Sequence, residues 1–384
     1  MRLSSLSLRD FRNLHSVDLE LAPGITVFFG DNGQGKTNLL EAVYLLATLK
    51  SFRGAKNSEL IRFERTDKAT KRVAECAVIK GRLLTGSLPR DFQVTIDPKG
   101  KRIRVDGKDP RGLPNYFSGI KAVSFVPSDL RMVDGGPELR REFLDRAAFT
   151  LDSSYLKVAR DYRSALRQKN ALLRDGKRTG RAPDAALLGV WNDRLIAAGA
   201  EVVQRRVAFL GRFAPVFRAV HEGITGAAKG YAEIRYRGPV SAEALGSGRS
   251  GIEQHLREKM EAAMPQEIQR GHTTIGPHRD DWVLRVGGEP LRAFGSQGQV
   301  RSAALGMRMA VMELTHEAAG VCPLFLLDDV SSELDAHRNQ QLMERLRALN
   351  AQVLVTTTSL ENLKLLRERY EAFSVRAGVV TGDG

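Results

Sequence analysis

Residues 25–40 read Ile25-Thr26-Val27-Phe28-Phe29-Gly30-Asp31-Asn32-Gly33-Gln34-Gly35-Lys36-Thr37-Asn38-Leu39-Leu40. The first five form a continuous apolar run bounded by glycines, the pattern of a strand buried on both faces of an α/β sheet. Gly30 to Thr37 then match G-x-x-x-x-G-K-[ST] in full, and a helix is expected from Lys36 to about Leu49. Phosphate chemistry needs this order. Glycines let backbone N–H groups turn inward around phosphate oxygens, and the helix N-terminus adds its partial positive charge. Gly30, Asp31, Asn32, Gly33, Gln34, Gly35, Lys36 and Thr37 are therefore expected to hold a nucleoside triphosphate. Lys36 would place a point charge on the β/γ-phosphates, and the Thr37 hydroxyl would ligate Mg²⁺.

A metal site of this kind needs a second acidic element. Leu324-Phe325-Leu326-Leu327-Asp328-Asp329 is an apolar strand ending in two carboxylates. Asp328 is expected to hold the Mg²⁺ shell, and Asp329 to sit beside the γ-phosphate and polarise the attacking water. No guanine-reading N-K-x-D-like segment occurs, so the expected nucleotide is ATP. Just upstream, Phe294-Gly295-Ser296-Gln297-Gly298-Gln299 precedes another helix. On local chemistry this is either a second anion-binding helix end or an ordinary Gly-Ser cap.

The 384 residues suggest two to three domains, or one large domain carrying an insertion. Hydrophobic residues at 42% and charged residues at 27% suit a globular chain with a real core. No apolar run reaches the ~18 residues of a membrane span. The opening MRLSSLSLRDFRN lacks the apolar region of a secretory signal. Two distant cysteines exclude a disulfide scaffold, so a cytoplasmic setting is the expectation. A net charge of +14 suggests a polyanionic partner if the charge has a location. One candidate is 151–181, with nine Lys/Arg against three Asp. There Arg160, Arg163, Arg167 and Arg174 form one stripe opposite Tyr155, Tyr162 and Leu166. A second is the hairpin with Lys101 and Arg102. Such stripes meet phosphates without reading sequence; the plain alternative is a solvated helix face.

The pattern along the chain predicts two strands around a turn at Arg12-Asn13, then the phosphate-loop strand and helix. Short strands follow to about 125, helices from about 137 to 222, and a loop over 175–184. A Gly-rich stretch, 223–251, leads back to sheet-like sequence. The last third predicts helix 297–319, strand 324–328, helix 336–349 and strand 352–356. The expected fold is α/β: an ATPase head from 1–135 and 271–384, interrupted by a mostly helical lobe over 136–270. In Gly276-Pro277-His278-Arg279-Asp280-Asp281 the Gly-Pro argues for a turn. Arg279 is expected to buttress Asp280 or Asp281 rather than serve a metal cluster with His272. Trp191 and Trp282 read as packing aromatics.

Ser296-Gln297-Gly298-Gln299 resembles the signature motif of ATP-binding-cassette ATPases. Asp328-Asp329 with Ser331-Ser332-Glu333-Leu334-Asp335 resembles their Walker B and D-loop, and Val353 to Thr358 their switch strand. More closely, five segments taken together resemble the bacterial RecF family. They are Asp10-Phe11-Arg12-Asn13, Gly33 to Ala42, Lys50-Ser51-Phe52-Arg53, Gly276 to Asp281 and Asp328 to Asp335. This resemblance implies an ABC-type, SMC-head-like P-loop fold without a long coiled coil. It also implies a head that dimerises around two ATP molecules, with Lys36, Thr37, Asp328 and Asp329 from one copy facing Ser296 of the other. Arg12, Gly298 and Gln299 join the nucleotide contacts on the same ground.

The resemblance further implies an ATP-dependent DNA clamp for single-strand gaps, with RecR and RecO as partners, promoting RecA loading, replication restart and SOS induction. Hydrolysis would be a slow, DNA-stimulated switch. Thr357 or Thr358 stands where transporter-type ATPases place a His, and Asp329 stands where they place a longer Glu. A motor subunit coupled to a non-DNA partner is the alternative reading; the helical insertion and the basic stripe weigh against it.

Overall fold

The computed structural model describes residues 1–66, 69–85, 88–329, 336–360 and 370–383. They form two compact units, one of 1–130, 223–227 and 301–384, the other of 131–222 and 228–300. The first unit begins with β1 (Arg2–Phe11), β2 (Leu14–Glu20), β3 (Ile25–Phe29), α1 (Lys36–Thr48) and a short α2 (Asn57–Leu60). It continues through β4 (Phe63–Thr66), β5 (Ala69–Arg72), β6 (Ala77–Thr85), β7 (Leu88–Ile96), β8 (Lys101–Val105), α3 (Leu113–Ser118) and β9 (Ala122–Phe125). The second unit contains α4 (Arg131–Asp134), α5 (Pro137–Leu151), α6 (Tyr155–Thr179) and α7 (Ala185–Thr225), whose last turn is counted with the first unit. Then come β10 (Ala232–Arg237), α8 (Ala242–Gly246), α9 (Gly248–Arg270), β11 (Asp281–Val286), β12 (Glu289–Pro290) and α10 (Leu291–Phe294). α11 (Gln297–Ala319) leads back to β13 (Leu324–Leu327), α12 (Ala336–Ala348), β14 (Val353–Thr357), β15 (Tyr370–Arg376) and β16 (Val379–Asp383).

Two sheets organise the first unit. One has the order β16-β15-β3-β14-β13-β9, parallel except for the β15–β16 hairpin. The other, β2-β1-β6-β7-β8, is antiparallel. Helix α1 packs on both, which is why Leu39, Leu40, Ala42, Val43, Leu45 and Leu46 are all buried. Ile25 to Phe28 are buried as a two-sided strand requires, because β3 is central. Gln352 joins the sheets: its Oε1 accepts the Leu3 amide (2.7 Å), and its Nε2 donates to the carbonyls of Leu3 (2.9 Å) and Ala22 (3.1 Å).

The second unit is helical with a small sheet, β10-β11-β12. Its core gathers Tyr162, Leu195, Val203, Leu256 and Met260. Phe209, Phe213 and Phe217 repeat every four residues on α7 and stack at 5.2 and 5.8 Å.

The two units divide the chain later than the expected return at 271. Residues 271–300 belong with the helical unit, because β11 pairs with β10 and Asp280 and Asp281 are held by Arg206 and Arg140. Helix α6 runs on to Thr179, so the expected loop shortens to 180–184. Where the Gly-rich stretch was expected to lead back to sheet-like sequence, it leads instead into α9, a 23-residue helix. The β15–β16 hairpin lies beyond the reach of the motifs. The D-loop segment Ser331 to Asp335 falls outside the described residues.

Candidate functional site

β3 ends at Phe29, and the chain enters a loop in which Gly30, Gly33 and Gly35 take φ of 143°, 81° and 117°. These are left-handed values that a side chain resists. A Cβ at Gly30 would also collide with the Val375 carbonyl oxygen, and one at Gly35 would lie 2.8 Å from Asn13 Oδ1. Gln34 is braced from two sides. Its carbonyl accepts from Asn13 Nδ2 and from the Gly378 amide (3.0 Å each), and its Oε1 accepts from the Ala377 amide (2.6 Å). The β15–β16 turn thus supports the loop, while Asp31, Asn32 and Gly33 stay exposed.

Lys36 opens α1 and curls over the loop, with Nζ donating to the carbonyls of Gly30 (2.6 Å) and Asp31 (2.7 Å). Burial pushes its pKa below the ordinary lysine value, against the pull of Asp329, Asp328 and Asp31. Thr37 Oγ1 donates to Asp328 Oδ1 at 2.8 Å, which joins the two predicted motifs across 291 residues of chain. Asp328 is 7% exposed, and burial raises its pKa against the hydrogen bonds from Thr356 and Thr37 and the charge of Arg53. Among the described residues no group of three or more His, Cys, Asp or Glu could hold a metal. The donor set is instead one hydroxyl and one carboxylate. That suits Mg²⁺, which keeps waters and takes its remaining oxygens from phosphates.

Arg12, a nucleotide contact by resemblance, is anchored to α1 in this structure. Its guanidinium grips Glu41 of α1 through two bonds (2.9 and 3.0 Å) and donates to the Glu59 carbonyl (2.8 Å). Glu41 is fully buried and also accepts from Ser51 Oγ (2.5 Å). Ser51 Oγ in turn accepts the amides of Arg53 and Ala55. The same scaffold holds Arg53 against Asn38 Oδ1 (2.9 Å), where its charge acts on Asp328. Arg53 and Thr356 are site residues that the motif reading did not assign. The Lys50–Arg53 segment had flagged the first; nothing local separates Thr356 from Thr357 and Thr358.

In the second unit Ser296 caps α11 reciprocally. Its amide donates to Gln299 Oε1 (2.9 Å), and its Oγ accepts from the Gln299 amide (3.3 Å). Ser296 and Gln297 stay exposed. Arg279 is exposed and buttresses neither acid: Asp281 pairs with Arg140 (2.6 Å) and the fully buried Asp280 with Arg206 (3.2 Å). His278 Nδ1 meets Tyr162 OH (2.6 Å) and its Nε2 faces the Thr273 carbonyl (3.2 Å), so no ring nitrogen turns toward His272. Trp282 is buried, as expected, and donates to the Arg140 carbonyl (2.9 Å).

A carbonyl can only accept, so His278 Nε2 carries a proton, and the low pKa of the ring keeps it neutral near pH 7. Burial lowers its pKa to about 4. Below pH 6.5 the unfolded chain takes up a proton that the folded chain refuses until about pH 4. This contribution is therefore complete above pH 6.5 and is lost as pH falls through that window, by up to about 3 kcal/mol. Urea unfolding of wild type and His278→Gln from pH 7.5 to 4 should show the wild type losing stability faster; parallel curves would refute it.

Arg160, Arg163, Arg167 and Arg174 are all exposed on one face of α6. Lys169, counted in the same basic span, is fully buried in a pair with Glu267 (2.7 Å) and cannot face a partner. Lys101 turns inward to Asn57 Oδ1 (2.7 Å), which leaves Arg102 exposed at that hairpin.

The comparisons with known proteins cover nearly the whole chain. The family described as RecF/RecN/SMC N terminal domain matches residues 2–381. The chain is 41% identical over 368 residues to a DNA replication and repair protein RecF from Citrifermentans bemidjiense, covering 95% of each chain. It is 40% identical to that of Myxococcus xanthus, covering 93% of this chain and 91% of that one. Among solved structures, the recombination mediator protein RecF-ATPrS in the RecFOR pathway superposes with a TM-score of 0.88 at 28% identity, covering 100% of this chain and 98% of that one. An Smc head domain from Pyrococcus furiosus covers 99% and 95% with a TM-score of 0.53 at 14% identity, a likeness of fold alone.

Proposed function

Because this chain belongs to the RecF family of SMC-head ATPases, we propose that it is an ATP-switched DNA-binding clamp of recombinational repair at single-strand gaps. One observation carries the reading: the Thr37 hydroxyl meets Asp328 Oδ1 at 2.8 Å beside Lys36. Loop and acidic strand end together form a cradle for a triphosphate and its cation. In this proposal Lys36 neutralises the β/γ-phosphates, and Thr37 and Asp328 hold Mg²⁺, which supplies charge stabilisation at the phosphate oxygens. Asp329 orients the attacking water, and Arg53 adds positive charge at the same site. Gly30 to Gly35 offer backbone N–H groups. Arg12 acts through Glu41, holding α1 and the Arg53 segment in place.

Ser296, with Gly298 and Gln299, would complete the site in a second copy of the chain, so that ATP joins two copies and hydrolysis releases them. The exposed stripe Arg160, Arg163, Arg167 and Arg174 would lie along phosphates of gapped or duplex DNA, and Arg102 of the first unit is a separate candidate for such a contact. RecR with RecO, and through them RecA, are the partners this reading implies, and slow DNA-stimulated hydrolysis its timer. Among the described residues no helix is long and apolar enough to cross a membrane.

Sedimentation with labelled gapped DNA, with and without ATP, tests the clamp. The wild type should dimerise and retain DNA only with ATP. Ser296→Ala should bind labelled ATP within about twofold of wild type yet lose the dimer and hydrolyse at least about tenfold more slowly, since it removes a donor used only in the closed state. A dimer that forms without ATP, or that survives Ser296→Ala unchanged, refutes this arrangement.

A further inference from the structure

We propose that Thr356 is a positioning residue of the ATP site, a single hydroxyl that fixes both acids of the Asp328–Asp329 pair. The proposal deepens the ATPase reading and rests on it. β14 lies between β3 and β13, with Val355 level with Leu327 and Thr356 level with Phe28. Thr356 therefore stands one residue beyond the end of β13, beside Asp328. A hydroxyl that follows Val353-Leu354-Val355 in this strand, at 1% exposure, is unfavourable unless it is hydrogen-bonded.

Here it is bonded twice, in opposite senses. Its proton goes to Asp328 Oδ1 (2.7 Å), and its oxygen accepts the Asp329 amide (3.0 Å). One hydroxyl can make both bonds at once. The β-branched side chain has few χ1 options, so Oγ1 has a defined place.

The two bonds do different things. With Thr37 Oγ1 donating to the same Oδ1 (2.8 Å), Asp328 is gripped from the loop side and from the β14 side, and its carboxylate plane is set. Asp329 sits at φ 53°, a left-handed conformation that a non-glycine residue keeps only when its surroundings hold it. The bond from its amide to Thr356 is one such hold, and the backbone at Asp329 decides where its carboxylate starts. Thr357 directs its hydroxyl to the Ser359 carbonyl (3.0 Å), and Thr358 is exposed. Thr356 is bonded to both acids.

The test uses the full chain and a fluorescent ATP analogue, titrated in EDTA and in Mg²⁺, together with steady-state hydrolysis. Thr356→Val keeps the shape and removes the hydroxyl; Thr356→Ser keeps the hydroxyl. The Val variant should bind in EDTA as wild type does and lose most of the affinity that Mg²⁺ adds. It should hydrolyse about ten- to a hundredfold more slowly, the worth of a hydrogen bond to a charged group. Ser should restore both properties. A Val variant whose Mg²⁺ gain and hydrolysis stay within twofold of wild type overturns the proposal. So does a lower melting temperature with the Mg²⁺ gain intact, which would make Thr356 merely structural, or a loss that Ser does not rescue. If the Val variant does not fold, Thr356→Ala read against Thr356→Ser decides by the same criteria. A wild-type chain that binds no ATP overturns the nucleotide reading itself, and this proposal with it.

Discussion

Lys36→Met should abolish ATP-driven behaviour while leaving the fold intact. Lys36 is 8% exposed, and its ammonium already points along the loop at the carbonyls of Gly30 and Asp31. A charge held in place, partly stripped of water, stabilises developing phosphate charge far better than a solvated one. Met keeps the stem that packs at the start of α1 and removes the charge. Hydrolysis should fall about a hundred- to a thousandfold, the usual cost of deleting one preorganised electrostatic group. ATP-dependent dimerisation and DNA retention should be lost with it. The melting temperature without nucleotide should hold or rise slightly, because a buried cation has been replaced by an apolar group of similar length. Steady-state hydrolysis and sedimentation measure this directly. Hydrolysis within threefold of wild type would place the active site elsewhere.

The largest stability effect should come from Arg206→Ala in the second unit. The Arg206 side chain is 5% exposed. It donates to Asp145 Oδ1 through Nε (3.0 Å) and Nη2 (2.8 Å), and through Nη1 to the Pro277 carbonyl (2.6 Å) and Asp280 Oδ2 (3.2 Å). Removing it takes the counter-charge from two carboxylates, leaving Asp145 with the Tyr155 hydroxyl and buried Asp280 with the Tyr236 hydroxyl, and takes the guanidinium from the Pro277 carbonyl. Breaking a buried pair in this way costs about 3–5 kcal/mol. Burial raises the Asp280 pKa, so that carboxyl can take up a proton and relieve part of the cost. Arg178, paired with Asp175 at 76% and 63% exposure, is the contrast. Arg178→Ala should change stability by about 0.5 kcal/mol or less. Both tryptophans, Trp191 and Trp282, lie in the second unit, so intrinsic fluorescence in urea reports on it. Equal midpoint shifts for the two variants would show that the buried network contributes no more than a surface pair.

The phosphate loop, its strand and its helix were legible because their chemistry is local: glycines, a lysine and a hydroxyl at fixed spacing. Asp328 was legible as the end of an apolar strand. Thr356 was not, because three adjacent threonines look alike until the parallel register shows which one lies level with Asp328. Lys169 was counted in the basic span 151–181, although it sits seven residues after buried Tyr162 and hence on the same inner face. Its partner Glu267 lies on α9, a helix hidden behind a Gly-rich start. Arg279 and the two acids after it were paired by adjacency, whereas folding supplied Arg206 and Arg140 from α7 and α5.

The central place of β3 also sets a timetable. Its neighbours β14 and β15 leave the ribosome more than 320 residues after it does. At roughly 5–20 residues per second that is a wait of about 15–65 s. Throughout it Ile25-Thr26-Val27-Phe28-Phe29 is an unpaired apolar strand of the kind on which nascent chains aggregate. The second unit, with all its sequence synthesised by Val300, can form during that wait. The phosphate loop gains its brace from Ala377 and Gly378 only afterwards, so the ATP site is completed at the very end of synthesis, and whatever depends on ATP comes later still.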